Sequence, residues 1–170
     1  MLFLGFSSGI PYGVLSGALV YWVSKIDLSP GEIGLLASAG VPYTLKFLWA
    51  PFVDQARLPL LYKIFGQRRS WLILTQVALI PAILYLGQTA PLENYGATYM
   101  AALIIAIVGA TQDIVIDGLR IESLKDDEQA AGAANYIYGY RIAGIVFTVG
   151  SMYLHSYFGI DWPLLFLCGA

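Results

Sequence analysis

The first 24 residues, Met1 to Ser24, contain no charged side chain. As a helix rising about 1.5 Å per residue, such a run covers a hydrocarbon core of about 30 Å. A lone segment in lipid must satisfy its own backbone polar groups, and only a helix does so. The pattern recurs: apolar segments at about 33–53, 71–86, 98–121 and 130–157 are separated by short polar loops, and Trp162-Pro163 opens a sixth. Composition agrees, with 58% hydrophobic and 12% charged residues against about 45–50% and 25% in soluble domains. No strand alternation competes. The expected fold is all-α, a polytopic transmembrane helical bundle. The first segment lacks the basic start of a signal peptide, and its apolar run is too long for one.

Local signals refine the spans. Gly5, Gly9, Gly13 and Gly17 recur every fourth residue, a small-residue ridge that lets a second helix backbone approach closely. Pro11 is expected to bend this helix, Pro42 to kink the second and Pro81 to interrupt the third. Ser29-Pro30-Gly31-Glu32 is a capping-box pattern with proline at the first helical position. Arg57, Lys63, Arg68 and Arg69 fall between the second and third spans, against Lys25 alone in the first loop. The positive-inside rule makes that basic loop cytoplasmic and puts the N-terminus inside as well. Trp22, Trp71, Tyr95, Tyr99, Tyr153, Tyr157 and Trp162 fall near span ends, as interfacial aromatic belts do.

Charge inside the spans is the functional signal. Asp113, Asp117 and Arg120 stand at i, i+4 and i+7, within roughly 60° of one another on one helical stripe. Asp113 and Lys46 each lie roughly 12 Å in from the cytoplasmic ends of their spans, and Arg141 roughly 16 Å in. Charges at membrane depth are rare and mark either a functional path or a structural ion pair. Asp113, Lys46 and Arg141 are therefore expected to share an interior cluster, with Asp117 nearer the cytoplasmic mouth and Arg120 as a candidate surface anchor. A static network that only fixes helix packing is the competing reading. Burial disfavours an ionised carboxylate and a nearby cation favours it, so Asp113 is the candidate carrier of a coupled proton, with Lys46 and Arg141 as counter-ions or substrate-carboxylate ligands. Gln112 and Asn135 are polar positions in apolar helices, either interhelical glue or ligand contacts. Tyr136, Tyr138 and Tyr140 near Arg141 are candidates to line a sugar-binding cavity.

Other chemistries find little material. A net charge of −2 without a basic patch gives no nucleic-acid surface. One histidine, His155, leaves no multi-histidine metal site, and one cysteine, Cys168, no internal disulfide. Gly5-Phe6-Ser7-Ser8-Gly9 formally matches a nucleophile elbow, but that motif needs a strand-turn-helix context. An intramembrane dyad of Ser8 and His155 would be the enzymatic alternative. His155 lies at the outer end of its span, so no catalytic residue and no cofactor are expected.

The blocks LGFSSGIPYG (4–13), GVPYTLKFLWAPFVD (40–54), GQRRSW (66–71), ATQDIVIDGLRIE (110–122) and GAANYIYGYRIAG (132–144) resemble the AmpG-like muropeptide permeases of the major facilitator superfamily, which have acetyl-coenzyme A transporters as relatives. The resemblance implies two six-helix halves with substrate between them. Residues 1–170 would then be an incomplete N-terminal bundle of about five and a half helices, a fragment whose partner is the absent C-terminal half. It further implies a multi-pass protein of the inner membrane that imports anhydro-muropeptides for cell-wall recycling, driven by the proton gradient. Asp54 with Gly66, Arg68 and Arg69 resembles the superfamily's cytoplasmic gating signature, although Gln55 follows the aspartate and the spacing is longer. An acetyl-coenzyme A or other anionic-solute carrier is the alternative, and a non-transporting membrane sensor or assembly partner the second.

Overall fold

The computed structural model describes residues 1–59 and 61–170 and is helical throughout, with no strand among the described residues. α1 (Leu2–Gly13) widens into a π-helical segment, Val14–Leu19, and continues as α2 (Val20–Ser24). The three pieces form one rod of 23 residues. α3 (Pro30–Ser38), α4 (Val41–Leu45), a 3-10 turn (Lys46–Leu48) and α5 (Ala50–Gln55) follow. α6 (Tyr62–Phe65) leads to α7 (Gln67–Gln88) and α8 (Tyr95–Ser123). A 3-10 turn, Asp126–Glu128, leads to α9 (Gln129–Phe158) and α10 (Trp162–Gly169). Leu2–Ser24, Gln67–Gln88 and Tyr95–Ser123 are each long and apolar enough to cross a membrane.

α8 is the axis of the bundle. Every residue from Gly109 to Ile116 is buried, so this stretch is enclosed on all sides by α1, α4, α5, α7 and α9. Val14, Ala18, Leu19 and Val23 of the first rod meet Leu36, Ile83, Leu86, Ala102, Ile105 and Phe166 in the main apolar core. Outward faces of α7 and α9 are also apolar, with Leu74, Val77 and Ile80 on one and Ile142, Ile145 and Val149 on the other exposed. Such faces suit lipid.

The capping box forms as the sequence predicts: the Glu32 N–H donates to Ser29 Oγ at 3.3 Å, and the Ser29 N–H donates to Glu32 Oε2 at 2.8 Å. Hydrogen bonds from the Ser29 hydroxyl, then from its backbone, hold the Glu32 carboxyl below the usual carboxylate range. At the far end of α9, Gly159 adopts φ 62° and its N–H returns to the His155 carbonyl at 3.1 Å, the left-handed closure that glycine permits.

The second span departs from the expected continuous helix with one kink. It is three short helices joined by breaks. Pro42 and Pro51 stand near the starts of α4 and α5; neither can donate to a preceding turn, so each restarts the ladder. The aromatic belt also differs in part. Trp22 and Trp162 are buried and stack with centroids 5.7 Å apart, closing one end of the bundle. Tyr153 and Tyr157 remain exposed.

The glycine ridge lies against α9. A Cβ at Gly5 would strike the Tyr136 carbonyl, at Gly9 the Tyr140 carbonyl, and at Gly17 the Thr148 side chain; at Gly13 it would lie 3.2 Å from the Gly144 Cα. Both helices advance four residues per contact in the same direction. They are therefore parallel, as first and fifth spans of a serpentine chain must be. α9 reciprocates with Gly139, where a Cβ would meet the Leu2 carbonyl, and Thr148 Oγ1 donates to the Gly13 carbonyl at 3.3 Å. Gly9→Ala is expected to destabilise by about 1–3 kcal/mol through overpacking. Gly144→Ala, with open space around its Cβ, should be neutral or stabilise by up to about 1 kcal/mol. Reversible unfolding in detergent micelles checks both, and equal behaviour of the two variants would refute the close packing.

Candidate functional site

Asp113 faces α1, α4 and α9 from the enclosed stretch of α8, and is 6% exposed. Its Oδ1 accepts from the Ser8 hydroxyl on α1 and from the Tyr136 hydroxyl on α9 at 3.2 Å. Tyr136 OH is also 3.3 Å from Ser8 Oγ. Oδ2 faces Lys46 Nζ at 3.4 Å. One carboxylate thus gathers three helices.

The helix break explains how lysine reaches it. Lys46 opens the 3-10 turn between α4 and α5. Trp49, at the next break, donates its indole N–H to Thr111 Oγ1 of α8 at 3.1 Å. That bond pins the turn two residues from Asp113. Lys46 Nζ also lies 3.7 Å from Asp117 Oδ2, and Asp117 Oδ1 lies 3.5 Å from Arg120 NH2. The result is an alternating chain, Asp113–Lys46–Asp117–Arg120, that balances two negative and two positive charges. Asp117, Lys46 and Arg120 are only partly buried, so the chain runs from an enclosed acid toward the open end of α8.

Gln112 points the other way from Asp113. Fully buried, it donates to Ser7 Oγ at 3.2 Å, and Gln76 of α7 donates to the same oxygen at 2.9 Å. Adjacent residues of α1, Ser7 and Ser8, therefore serve adjacent residues of α8. Ser8 is committed to Asp113, and His155 Nδ1 sits 2.9 Å from the Ile160 carbonyl oxygen at the opposite end of the bundle. No Ser8–His155 dyad assembles.

Arg141 does not join the cluster. It is exposed and forms no ion pair among the described residues. The reason is angular: Tyr136 and Tyr140 turn toward α1, and Arg141 lies about 100° further round α9. Asn135 is likewise exposed. Tyr140 stands beside Tyr136 with ring centroids 6.2 Å apart.

A second ion cluster lies at the open end. Arg68 NH1 meets Asp54 Oδ1 at 2.5 Å, and its Nε and NH2 reach Glu122 Oε1 at 2.9 and 2.8 Å. The guanidinium lies over Gly118, where a Cβ would collide with it. The Gln67 side-chain amide donates to the Asp54 carbonyl. Arg68 thereby ties the second span, the basic loop and α8 together. Arg69 is exposed and unpaired among the described residues.

Sequence reasoning does not assign Ser8 to Asp113 or Glu122 to Arg68. A signal for the first exists: Ser8, Tyr12 and Ser16 form an i, i+4, i+8 polar stripe in a mostly apolar helix. Glu122 sits at the same end of its span as Arg68, but only the packing of α7 on α8 joins them.

The chain also matches known proteins. The family described as acetyl-coenzyme A transporter 1 matches residues 1–95, more than half of the chain. A Haemophilus influenzae protein of unassigned function is 41% identical over 165 residues, 97% of this chain and 37% of its own length. The anhydromuropeptide permease of Escherichia coli is 37% identical over 146 residues, 86% of this chain and 29% of its own length. A Rickettsia felis protein carrying a provisional AmpG transporter name is 36% identical over 154 residues, 91% of this chain and 35% of its own length. The chain thus spans about a third of the length of these relatives. The family match and the near-complete cover by AmpG-type relatives, on an all-helical frame with spans apolar enough for a membrane, establish that the chain belongs to the acetyl-coenzyme A transporter 1 family of the major facilitator superfamily, together with the AmpG-like permeases.

Proposed function

We propose that this chain forms the N-terminal bundle, incomplete at about five and a half helices, of a secondary transporter that imports anhydro-muropeptides across the inner membrane, driven by the proton gradient. The substrate rests on the name of the Escherichia coli relative. The mechanism rests on one observation, the enclosed Asp113 carboxylate held by Ser8, Tyr136 and Lys46. Lys46 has a second carboxylate in reach, Asp117. A small movement of the broken second span shifts the ammonium from one to the other. Asp113 would then face only neutral hydroxyls, and an enclosed carboxylate without its cation takes up a proton. Return of Lys46 expels it toward Asp117 and the mouth. This alternation couples proton transfer to the position of α4 and α5.

The positive-inside rule supports a cytoplasmic mouth, with the N-terminus on the same side. Arg68, Asp54 and Glu122 form the latch that holds α5 and α7 to α8 there, with Arg69 free to meet the opposing half. Arg141, exposed on α9, offers a guanidinium to substrate carboxylates, and Asn135 an amide. The energy source is the proton gradient, with no bound cofactor. A second reading, an acetyl-coenzyme A or other anionic-solute carrier, is supported by the family match over residues 1–95.

In the full-length transporter reconstituted into proteoliposomes, Asp113→Asn should abolish uphill accumulation of anhydro-muropeptide while leaving downhill exchange measurable. Accumulation with an unchanged pH profile would remove Asp113 from coupling. Uptake of acetyl-coenzyme A, with no uptake of muropeptide by the wild type, would establish the second reading instead. At the latch, a double-mutant cycle of Arg68→Ala and Glu122→Gln should give an interaction energy on the order of 1 kcal/mol. Strict additivity would show that the pair holds nothing together.

A further inference from the structure

Most of the first rod is buried or apolar, yet near its midpoint Tyr12 is 43% exposed. Ser16, one turn on, is exposed too, and Ser8, one turn back, holds Asp113. Ser16 Oγ donates to the Tyr12 carbonyl one turn back at 2.7 Å, and the outward faces of α7 and α9 carry apolar side chains where this stretch exposes Tyr12 and Ser16. Tyr12 and Ser16 look onto a cavity. Their companions are aromatic. Tyr12 meets Tyr43 edge-on and Tyr140 at a tilt, each with centroids 5.6 Å away, and Tyr140 leads to Tyr136 and so to Asp113. Tyr43 is fixed by the glycine beneath it: a Cβ at Gly109 would collide with its hydroxyl, which is buried with no hydrogen-bond partner among the described residues. Gly40 stands at the break between the end of α3 at Ser38 and the start of α4 at Val41. A furrow of about 370 Å3 remains, lined by Tyr12, Ser16, Tyr43 and Thr44 beside an apolar wall that includes Leu15 and Leu36, within the range of small-molecule sites.

We infer that this furrow is a carbohydrate subsite, in which the Tyr12 ring stacks on the apolar C–H face of a hexopyranose while the Ser16 and Thr44 hydroxyls bond to its hydroxyl groups. The inference rests on the muropeptide reading above and extends it to the part of the substrate that enters here. A tyrosine suits such stacking because it has a flat apolar face, a polar edge and few rotamers to immobilise. The succession Tyr12, Tyr140, Tyr136, Asp113 puts the sugar beside, and not upon, the proton site.

Uptake kinetics of the full-length protein in proteoliposomes test it. Tyr12→Leu should raise KM for anhydro-muropeptide at least tenfold with kcat changed less than twofold, and Tyr12→Phe should recover most of the loss. Tyr12→Trp keeps the stacking face and adds a reporter. Its fluorescence should be quenched by the anhydro-disaccharide without peptide and unaffected by the free stem peptide. An unchanged KM for Tyr12→Leu, or equal quenching by sugar and peptide, overturns the subsite while wild-type uptake leaves the transport reading standing. Should Tyr12→Leu fail to insert, the Tyr12→Trp titration decides alone. A wild-type protein that takes up no muropeptide overturns both.

Discussion

A carboxylate inside a membrane bundle must be surrounded by donors and a cation, and much of this structure is the means of surrounding Asp113. Its Oδ1 takes hydroxyls from α1 and α9, and its Oδ2 faces a lysine from the broken second span. Each donor depends on a different backbone feature. Tyr136 reaches Asp113 because α1 and α9 pack backbone to backbone, which Gly5, Gly9 and Gly139 allow. Lys46 reaches it because the helix is interrupted on both sides and Trp49 anchors the interruption to Thr111. Larger residues on the ridge would move Tyr136, and a continuous second helix would carry Lys46 through a different arc. The glycines and the prolines serve the same carboxylate by separate routes.

The second ion cluster follows the same logic in a wetter setting. Arg68 is mostly covered, whereas Asp54 and Glu122 are about half exposed. Surface ion pairs contribute little singly; here one planar guanidinium engages two acids and rests on the bare backbone of Gly118, which gives it a fixed geometry. α8 therefore carries three levels of polar organisation along its length: the tyrosine seat at Gly109, the alternating charges from Asp113 to Arg120, and the Glu122 contact at its end. The levels are about one to two turns apart, so a rotation of α8 or a shift of α4 and α5 disturbs all of them together.

Much of the fold is legible in the sequence because lipid leaves few choices. Apolar length, charge-free runs and the Ser29–Glu32 cap are local properties, and helix positions follow from them closely: α8 and α9 extend only a few residues beyond the spans read from hydropathy. The second span reads as one helix in sequence, and wrongly so, because a proline's effect depends on whether neighbours re-satisfy the freed groups. Pro81 sits within an unbroken α7, and Pro42 and Pro51 sit at starts. Of the expected charge cluster, Asp113 and Lys46 meet and Arg141 stands apart. Depth alone groups the three, and depth carries no information about the angle around the helix axis.

By itself the sequence determined that this is a helical membrane bundle, that its charges lie on one stripe of α8, and that α1 presents a glycine ridge, because periodicity and transfer free energy are properties of single segments. Only the tertiary structure decided which residues complete the Asp113 site. Ser8 and Tyr136 are drawn from helices more than a hundred residues apart in the chain, and their pairing depends on parallel packing that no single segment encodes. The same packing turned Arg141 away and left Tyr12 facing a furrow instead of lipid. Buried polar atoms must be satisfied by whatever the fold brings within reach, and reach is set between helices.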